Sequence, residues 1–333
     1  MGRRNSASSQ GYCMREIGSE FHKMPVEAGR GLVMPRPGSL VFSGRTAIEA
    51  VLKKIPEAHS VLVPSYCCDS MIAPFKAAGI DVSFYAVNWS DGLKIDLEHS
   101  ADVILWCNYF GYQNDMPNFE QTVIEDITHS FLSEKQFHEG SDYLVASLRK
   151  WEPVYCGGYC SVDAAGTAPS KMFIEGKSAA MDLKTEYLQD LDVEKKPRFL
   201  QMFSENNHWL ADNYSGLSID SWSKEFLLYV DVENQRNVRR QNAHVLYEGL
   251  KGKVCFLFPE EKMDCPLFVP VLLENRDKVR IHLTENKIYC PVHWPKPDGA
   301  ESNIYDMELS LICDQRYGVN DMERIVSVLS EVI

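Results

Sequence analysis

Residues 102–126 read DVILWCNYFGYQNDMPNFEQTVIED, and the two ends of this stretch decide the fold. Asp102 to Asn108 is a near-continuous apolar run, the pattern of a strand buried on both faces. Thr122-Val123-Ile124 repeats the pattern and closes on Glu125-Asp126. Working outward, Ser60 to Pro64 (SVLVP), Asp81 to Val87 (DVSFYAV), Tyr143 to Ser147 and Tyr159 to Val162 have the same strand character. Helical patterns lie between them. After Ser43, a suitable helix start, the apolar residues Ala47, Ile48, Val51, Leu52 and Ile55 recur at helical spacing. Ser70 to Ala78 reads as a second helix. Apolar strands alternating with helices predict an α/β layer fold with a largely parallel sheet.

The flanks differ from this middle. Residues 1–40 are polar, carry Pro35 and Pro37, and read as an irregular N-terminal arm. Residues 41–235 form the larger predicted domain, the last third of it charged and mainly helical. Val232 to Leu250 reads as one long helix. Residues 236–333 form a smaller α+β domain with short strands in VCFLF, LFVPVLL and KIYCPV. It closes on an amphipathic helix from Asp321 to Ile333.

Composition bounds the function. A chain of 333 residues with 45% apolar and 24% charged residues suits about two globular domains and needs no disulfide or metal to fold. Net charge is −13, from 34 basic and 47 acidic residues, which argues against nucleic acid or an anionic membrane as partner. No apolar run approaches the ~20 residues of a membrane helix. The N-terminal MGRRNSASSQGYC has no apolar segment behind its arginines, so no secretory leader is expected and the cytoplasm is the expected compartment. Gly2 and Ser6 match a myristoylation pattern only loosely, and the match is read as coincidence. The ten cysteines are irregularly spaced and expected to be reduced. Cys156 and Cys160 lack a second ligand pair, so no metal site is expected. Adjacent Cys67 and Cys68 read as packing residues.

In open α/β sheets, ligands bind at the carboxyl ends of the strands. The polar residues that follow the apolar strands here are Asn108, Asp126 with His129, and Ser147 with Lys150. The helix start at Ser43-Gly44-Arg45 adds backbone N–H groups suited to a phosphate. This set meets the needs of pyridoxal 5'-phosphate (PLP). The aldehyde needs a lysine amine for a Schiff base, the pyridine nitrogen a carboxylate, and the phosphate a helix N-terminus with hydroxyls. Singly, each residue has an ordinary structural reading: a strand-end Asp often caps a helix, and a buried His is often core. Their order and spacing are what point to chemistry.

Five segments carry a family resemblance. VFSGRTAIEAVL, VLVPSYCCDSMIAPFKAAGIDVSFYAVN, VIEDITHSF, SLRKWEPVYCGGYCSV and LSLICDQRYGVNDMERIVSVL together span nearly the whole chain. They resemble the DegT/DnrJ/EryC1/StrS aminotransferases, which are fold-type-I PLP enzymes. The resemblance implies a mostly parallel seven-stranded sheet between helices, a smaller C-terminal α+β domain, and a homodimer. It implies that Lys150 bonds the cofactor and shuttles a proton, that Asp126 pairs with the pyridine nitrogen, and that His129 lies near the phenolic oxygen. It places Gly44, Arg45 and Ser147 at the phosphate. The reaction it implies moves an amino group from a donor such as glutamate to a keto or aldehyde acceptor, nucleotide-linked sugars among them.

The sequence departs from the family pattern in places. The ring-stacking aromatic falls at Cys68, with Tyr66 as the nearest aromatic alternative. The family serine five residues before the lysine falls at Val145. The segment by which a partner subunit commonly reaches the phosphate is not recognisable, with Asn213-Tyr214-Ser215 only a faint candidate. Arg316 is a candidate clamp for a substrate carboxylate, and His293 with Trp294 falls where the family has an active-site loop. Asn108 is a further candidate substrate contact. Two rival readings remain: a PLP-dependent sugar dehydratase, although those enzymes replace the lysine by histidine, and a PLP-fold regulator without turnover.

Overall fold

The computed structural model describes residues 15–26, 29–97 and 100–333. Gly2 and Ser6 lie outside the described residues. The chain begins with β1 (Ile17–Gly18) and β2 (Ser39–Val41), then α1 (Gly44–Leu52) and β3 (Ser60–Pro64). Next come α2 (Asp69–Ala77), β4 (Asp81–Trp89), β5 (Leu93–Asp96), β6 (Val103–Cys107), β7 (Thr122–Asp126), β8 (Tyr143–Ser147) and β9 (Gly158–Cys160). Strands β2 to β9 form one sheet in the order β2-β9-β8-β7-β6-β3-β4-β5. Its centre is parallel, through the pairs β4/β3, β3/β6, β6/β7 and β7/β8. Its edges are antiparallel: β5 on β4, and β9 between β8 and β2.

The expected seven-stranded, mostly parallel sheet is thus corrected to a mixed sheet of eight strands. Two edge strands carry no strand signal in the sequence, β2 and β5, and β5 is the return of a hairpin turned at Asp91-Gly92, where φ is 50° and 126°. Its side chains alternate between exposed and half-buried, so it lacks the apolar run that marks a central strand. By contrast, every residue of β6 is buried. Asp102 ties the start of that strand to β3, accepting from the backbone N–H groups of His59 at 2.9 Å and Ser60 at 3.0 Å.

The remaining elements are α3 (Lys171–Asp190), α4 (Lys195–Asp212), α5 (Ser221–Phe226), α6 (Val232–Leu250), β10 (Cys255–Phe256) and β11 (Val269–Leu272). They are followed by α7 (Arg276–Glu285), β12 (Ile288–Tyr289), β13 (Glu308–Leu311) and α8 (Val319–Ser330). Helix α6 has the bounds expected from its periodicity, and α8 buries Met322, Ile325, Val328 and Leu329 as its apolar stripe requires. A small antiparallel sheet runs β10-β11-β13. The arm is tied to this end of the molecule, because β1 pairs in parallel with β12.

Candidate active site

A cavity of about 380 Å³ opens at the carboxyl ends of the central strands. Lys150, Asp126, His129, Ser147, Gly44 and Arg45 all line it. Residues separated by up to 106 positions in sequence therefore meet because β7 and β8 end, and α1 begins, at the same edge of the sheet.

Period-two alternation at the end of β7 sorts two adjacent carboxylates. Asp126 faces the cavity. Glu125 faces away into a fully buried cluster, where it accepts from Asn108 Nδ2 at 2.7 Å, from the backbone N–H of His138 at 2.9 Å and from the Ser141 hydroxyl. Asp126 accepts from the Thr128 backbone N–H at 2.8 Å. Burial pushes its carboxyl above the usual carboxylate range, so a cationic partner in the cavity would be favoured there.

His129 is held in one tautomer. Its Nδ1 accepts from the Phe110 backbone N–H at 3.1 Å, which puts the ring proton of the neutral form on Nε2. Burial, and then the neighbouring His293 and Lys150, push its pKa well below the usual histidine range, so it is neutral at pH 7. Trp294 stacks on it with ring centroids 5.7 Å apart and 25° between planes, and also lines the cavity.

Lys150 ends a 3₁₀ turn, Leu148–Lys150, that follows β8 directly. The turn is pinned through Thr128: its Oγ1 accepts from the Ser147 backbone N–H at 2.9 Å, and its carbonyl from Trp151 Nε1 at 2.6 Å. The lysine side chain is exposed and opens into the cavity. Burial is the first cause that lowers its pKa, and Arg149 and Arg45 add to it. Each favours the neutral, nucleophilic amine.

The anion end is built by α1. Ser43 caps the helix, its Oγ accepting from the Thr46 N–H at 3.3 Å. The N–H groups of the first turn have no intrahelical partner. Close packing of β9 fixes this terminus: a Cβ on Gly158 would fall 2.3 Å from the Ser43 carbonyl oxygen. Arg45 is half-buried, and its buried Nε finds no hydrogen-bond partner among the described residues.

The other predicted residues separate. Cys68 lines the cavity at the aromatic position, its Sγ 2.9 Å from Ser70 Oγ. Tyr66 does not reach the cavity; it is fully buried among Tyr109, Trp294 and Tyr305. Asn108 is also drawn away, donating to Glu125 and to Ser130 Oγ at 2.9 Å. His293 sits in a buried polar cluster, its Nδ1 2.9 Å from Ser310 Oγ, and lines a neighbouring cavity instead. Arg316 is no free clamp. It makes a fork-to-fork ion pair with Asp314 at 2.9 and 2.8 Å, donates to the carbonyls of Ser19 and Glu20, and stacks on Phe21.

Several residues that line this cavity carried no site signal of their own in the sequence, among them Glu20, Arg149, Lys177 and Asn207. Arg149 adjoins Lys150, and its place was the available signal. Lys177 lies in a charged helical stretch that reads as a solvated face, and Glu20 lies in the arm. Neither carried a sequence signal.

No family model and no curated protein matches the chain in sequence. Solved structures match it in fold. A DegT DnrJ EryC1 StrS aminotransferase from Brucella abortus is 15% identical, with 88% of this chain and 85% of that one covered at a TM-score of 0.61. The sugar aminotransferase CalS13 from Micromonospora echinospora is 13% identical, with 89% and 87% covered at a TM-score of 0.61. The PLP form of Spr1654 from Streptococcus pneumoniae is 12% identical, with 96% and 100% covered at a TM-score of 0.63. The expected fold type is therefore the observed one, across almost the whole length.

Proposed function

We propose that the chain is a PLP-dependent aminotransferase that moves an amino group from a donor such as glutamate to a keto or aldehyde acceptor. Nucleotide-linked sugars are the acceptor class suggested by the aminotransferases that share its fold. The observation that carries this reading is the meeting of Lys150, Asp126, His129 and the α1 N-terminus around one cavity. The residues fit the cofactor. The unpartnered Arg45 Nε and the first turn of α1 suit its phosphate, with Ser147 beside them. Asp126 suits the ring nitrogen, His129 the phenolic oxygen, and Lys150 the aldehyde. When bound, PLP supplies an electron sink for negative charge at the substrate carbon next to nitrogen.

The chain's own residues do the rest. Lys150 Nζ, its pKa lowered first by burial, accepts and returns the proton of that carbon. Asp126 holds its carboxylate where a ring N–H would keep it charged. His129 donates from Nε2 without adding charge of its own. The parts of the reading that concern the whole protein go with it: an arm of residues 1–40, a larger domain of 41–235, a smaller one of 236–333, a homodimer, and a cytoplasmic home. No helix among the described residues is long and apolar enough to cross a membrane.

The test is a visible absorption spectrum of the purified protein with PLP, before and after glutamate, with Lys150→Ala alongside. A lysine-dependent band that changes on adding glutamate is expected. A protein with no lysine-dependent band would end this reading and leave a shared fold.

A further inference from the structure

Three cations besides Lys150 line the cavity, and the sequence accounts for only one of them. Arg45 stands on α1, Arg149 on the turn before Lys150, and Lys177 on α3. Arg149 donates from Nη1 to Asn207 Oδ1 at 3.5 Å, while its buried Nε has no partner among the described residues. Lys177 is buried, with its ammonium 4.5 Å from the Phe203 ring centroid. Its pKa is pushed down to about 8 by burial. Burial first, and Arg45 after it, lower the pKa of Arg149.

One carboxylate of the arm approaches Arg149 and Lys177. Glu20 Oε2 lies 3.9 Å from Lys177 Nζ, and Glu20 Oε1 accepts from Asn207 Nδ2 at 3.2 Å. Its pKa is nonetheless held at about 2: Lys177 and then Arg149 outweigh the burial that would raise it. Glu20 meets Lys177 only at 3.9 Å and makes no hydrogen bond to either cation among the described residues, so neither is closed in a tight ion pair. Buried charge without close compensation is costly, and a dianion in the cavity would remove that cost.

We infer that Arg149 and Lys177 complete a phosphate-binding cup with Arg45 and the α1 N-terminus, so that one chain supplies its own cations for a phosphate monoester. This rests on the cofactor reading above for the identity of the ester. The cup stands in for a partner-supplied segment that is not recognisable in the sequence. Glu20 is the resident counter-ion and competes with the phosphate.

Calorimetric titration of the full-length protein with pyridoxal phosphate, pyridoxal and inorganic phosphate tests the cup. Arg149→Gln and Lys177→Met should each weaken pyridoxal phosphate about 10-fold or more, the scale of one charge-assisted hydrogen bond. Pyridoxal, which lacks the ester, should bind these variants as it binds the wild type. Arg149→Lys should recover part of the loss. Glu20→Gln should bind inorganic phosphate more tightly, because a competitor has gone. Equal weakening of pyridoxal and its phosphate would show a structural role and overturn the inference. Unchanged phosphate-ester affinity in both variants would overturn it too, while a lysine-dependent band in the wild type would leave the aminotransferase reading standing. Phosphate binding that needs Arg149 and Lys177, without such a band, would keep the cup and remove the cofactor.

Discussion

At the residue scale, the end of β7 shows how one position of alternation separates two identical chemistries. Glu125 is spent on a buried hydrogen-bond cluster, and Asp126 is presented to the cavity. Asp126→Asn keeps the shape and removes the charge. It should leave cofactor binding within reach and slow loss of the α-proton of glutamate by about 10²–10⁴-fold. Exchange of that proton with deuterated solvent, followed by NMR, measures it. An unchanged exchange rate would strip Asp126 of its proposed part. Arg316 teaches the converse. Its residue type suited a carboxylate clamp, but its fork is already filled by Asp314, two positions away, and both side chains are buried. Leaving either partner alone there would cost about 3–5 kcal/mol, which is why the pair is structural.

At the element scale, α1 owes its position to β9 as well as to its own apolar face. The strand passes so close that Gly158 has no room for a methyl group against the Ser43 carbonyl. Gly158→Ala should cost about 1–3 kcal/mol in urea unfolding and also weaken phosphate binding, because the helix start must move. A variant of wild-type stability would mean that β9 does not set this terminus. Helix α3 contributes a pH-sensitive group. Lys184 donates to the Glu20 carbonyl, with Arg316, Glu16 and Asp314 nearby. Burial, and then Arg316, push its pKa to about 7 from an ordinary 10.5. Between those values the unfolded chain binds a proton that the folded chain does not, so stability rises with pH across that window. Below about pH 7 both states are protonated and this gain is absent. Lys184→Met should therefore flatten the rise in melting temperature between pH 7 and pH 9.5. A variant with the same slope as the wild type would rule this out.

At the scale of the whole molecule, the arm joins the eight-stranded sheet through β2 and the C-terminal region through β1. β1 joins β12, while Arg316 and Lys184 hold Ser19 and Glu20 over the cavity. A homodimer is part of the proposed function, and light scattering should return twice 37.9 kDa at micromolar concentration. A monomer mass under the same conditions would remove it. The in-chain phosphate cup makes a sharp contrast here, since it needs no partner side chain at the phosphate.

The apolar runs of β3, β6, β7 and β8, the helical spacing of α1 and α6, and the polar residues at the strand ends were readable along the chain, because burial on both faces and helical periodicity are local signals. Lys150, Asp126, His129, Gly44 and Ser147 were legible for that reason, and they do converge on one cavity. Strand β5 was not, since an edge strand needs no continuous apolar run. Nor were the fates of Tyr66, Asn108, His293 and Arg316, or the arrival of Glu20, Arg149 and Lys177. A side chain's availability depends on which partner packing brings to it. Asn108 meets Glu125, Arg316 meets Asp314, and Lys177 turns inward across α3, all by contacts that only the assembled layers create. The sequence by itself determined the layered α/β class and the chemistry placed at the strand ends. Only the tertiary structure decided which charges are spent on the fold and which remain for a ligand.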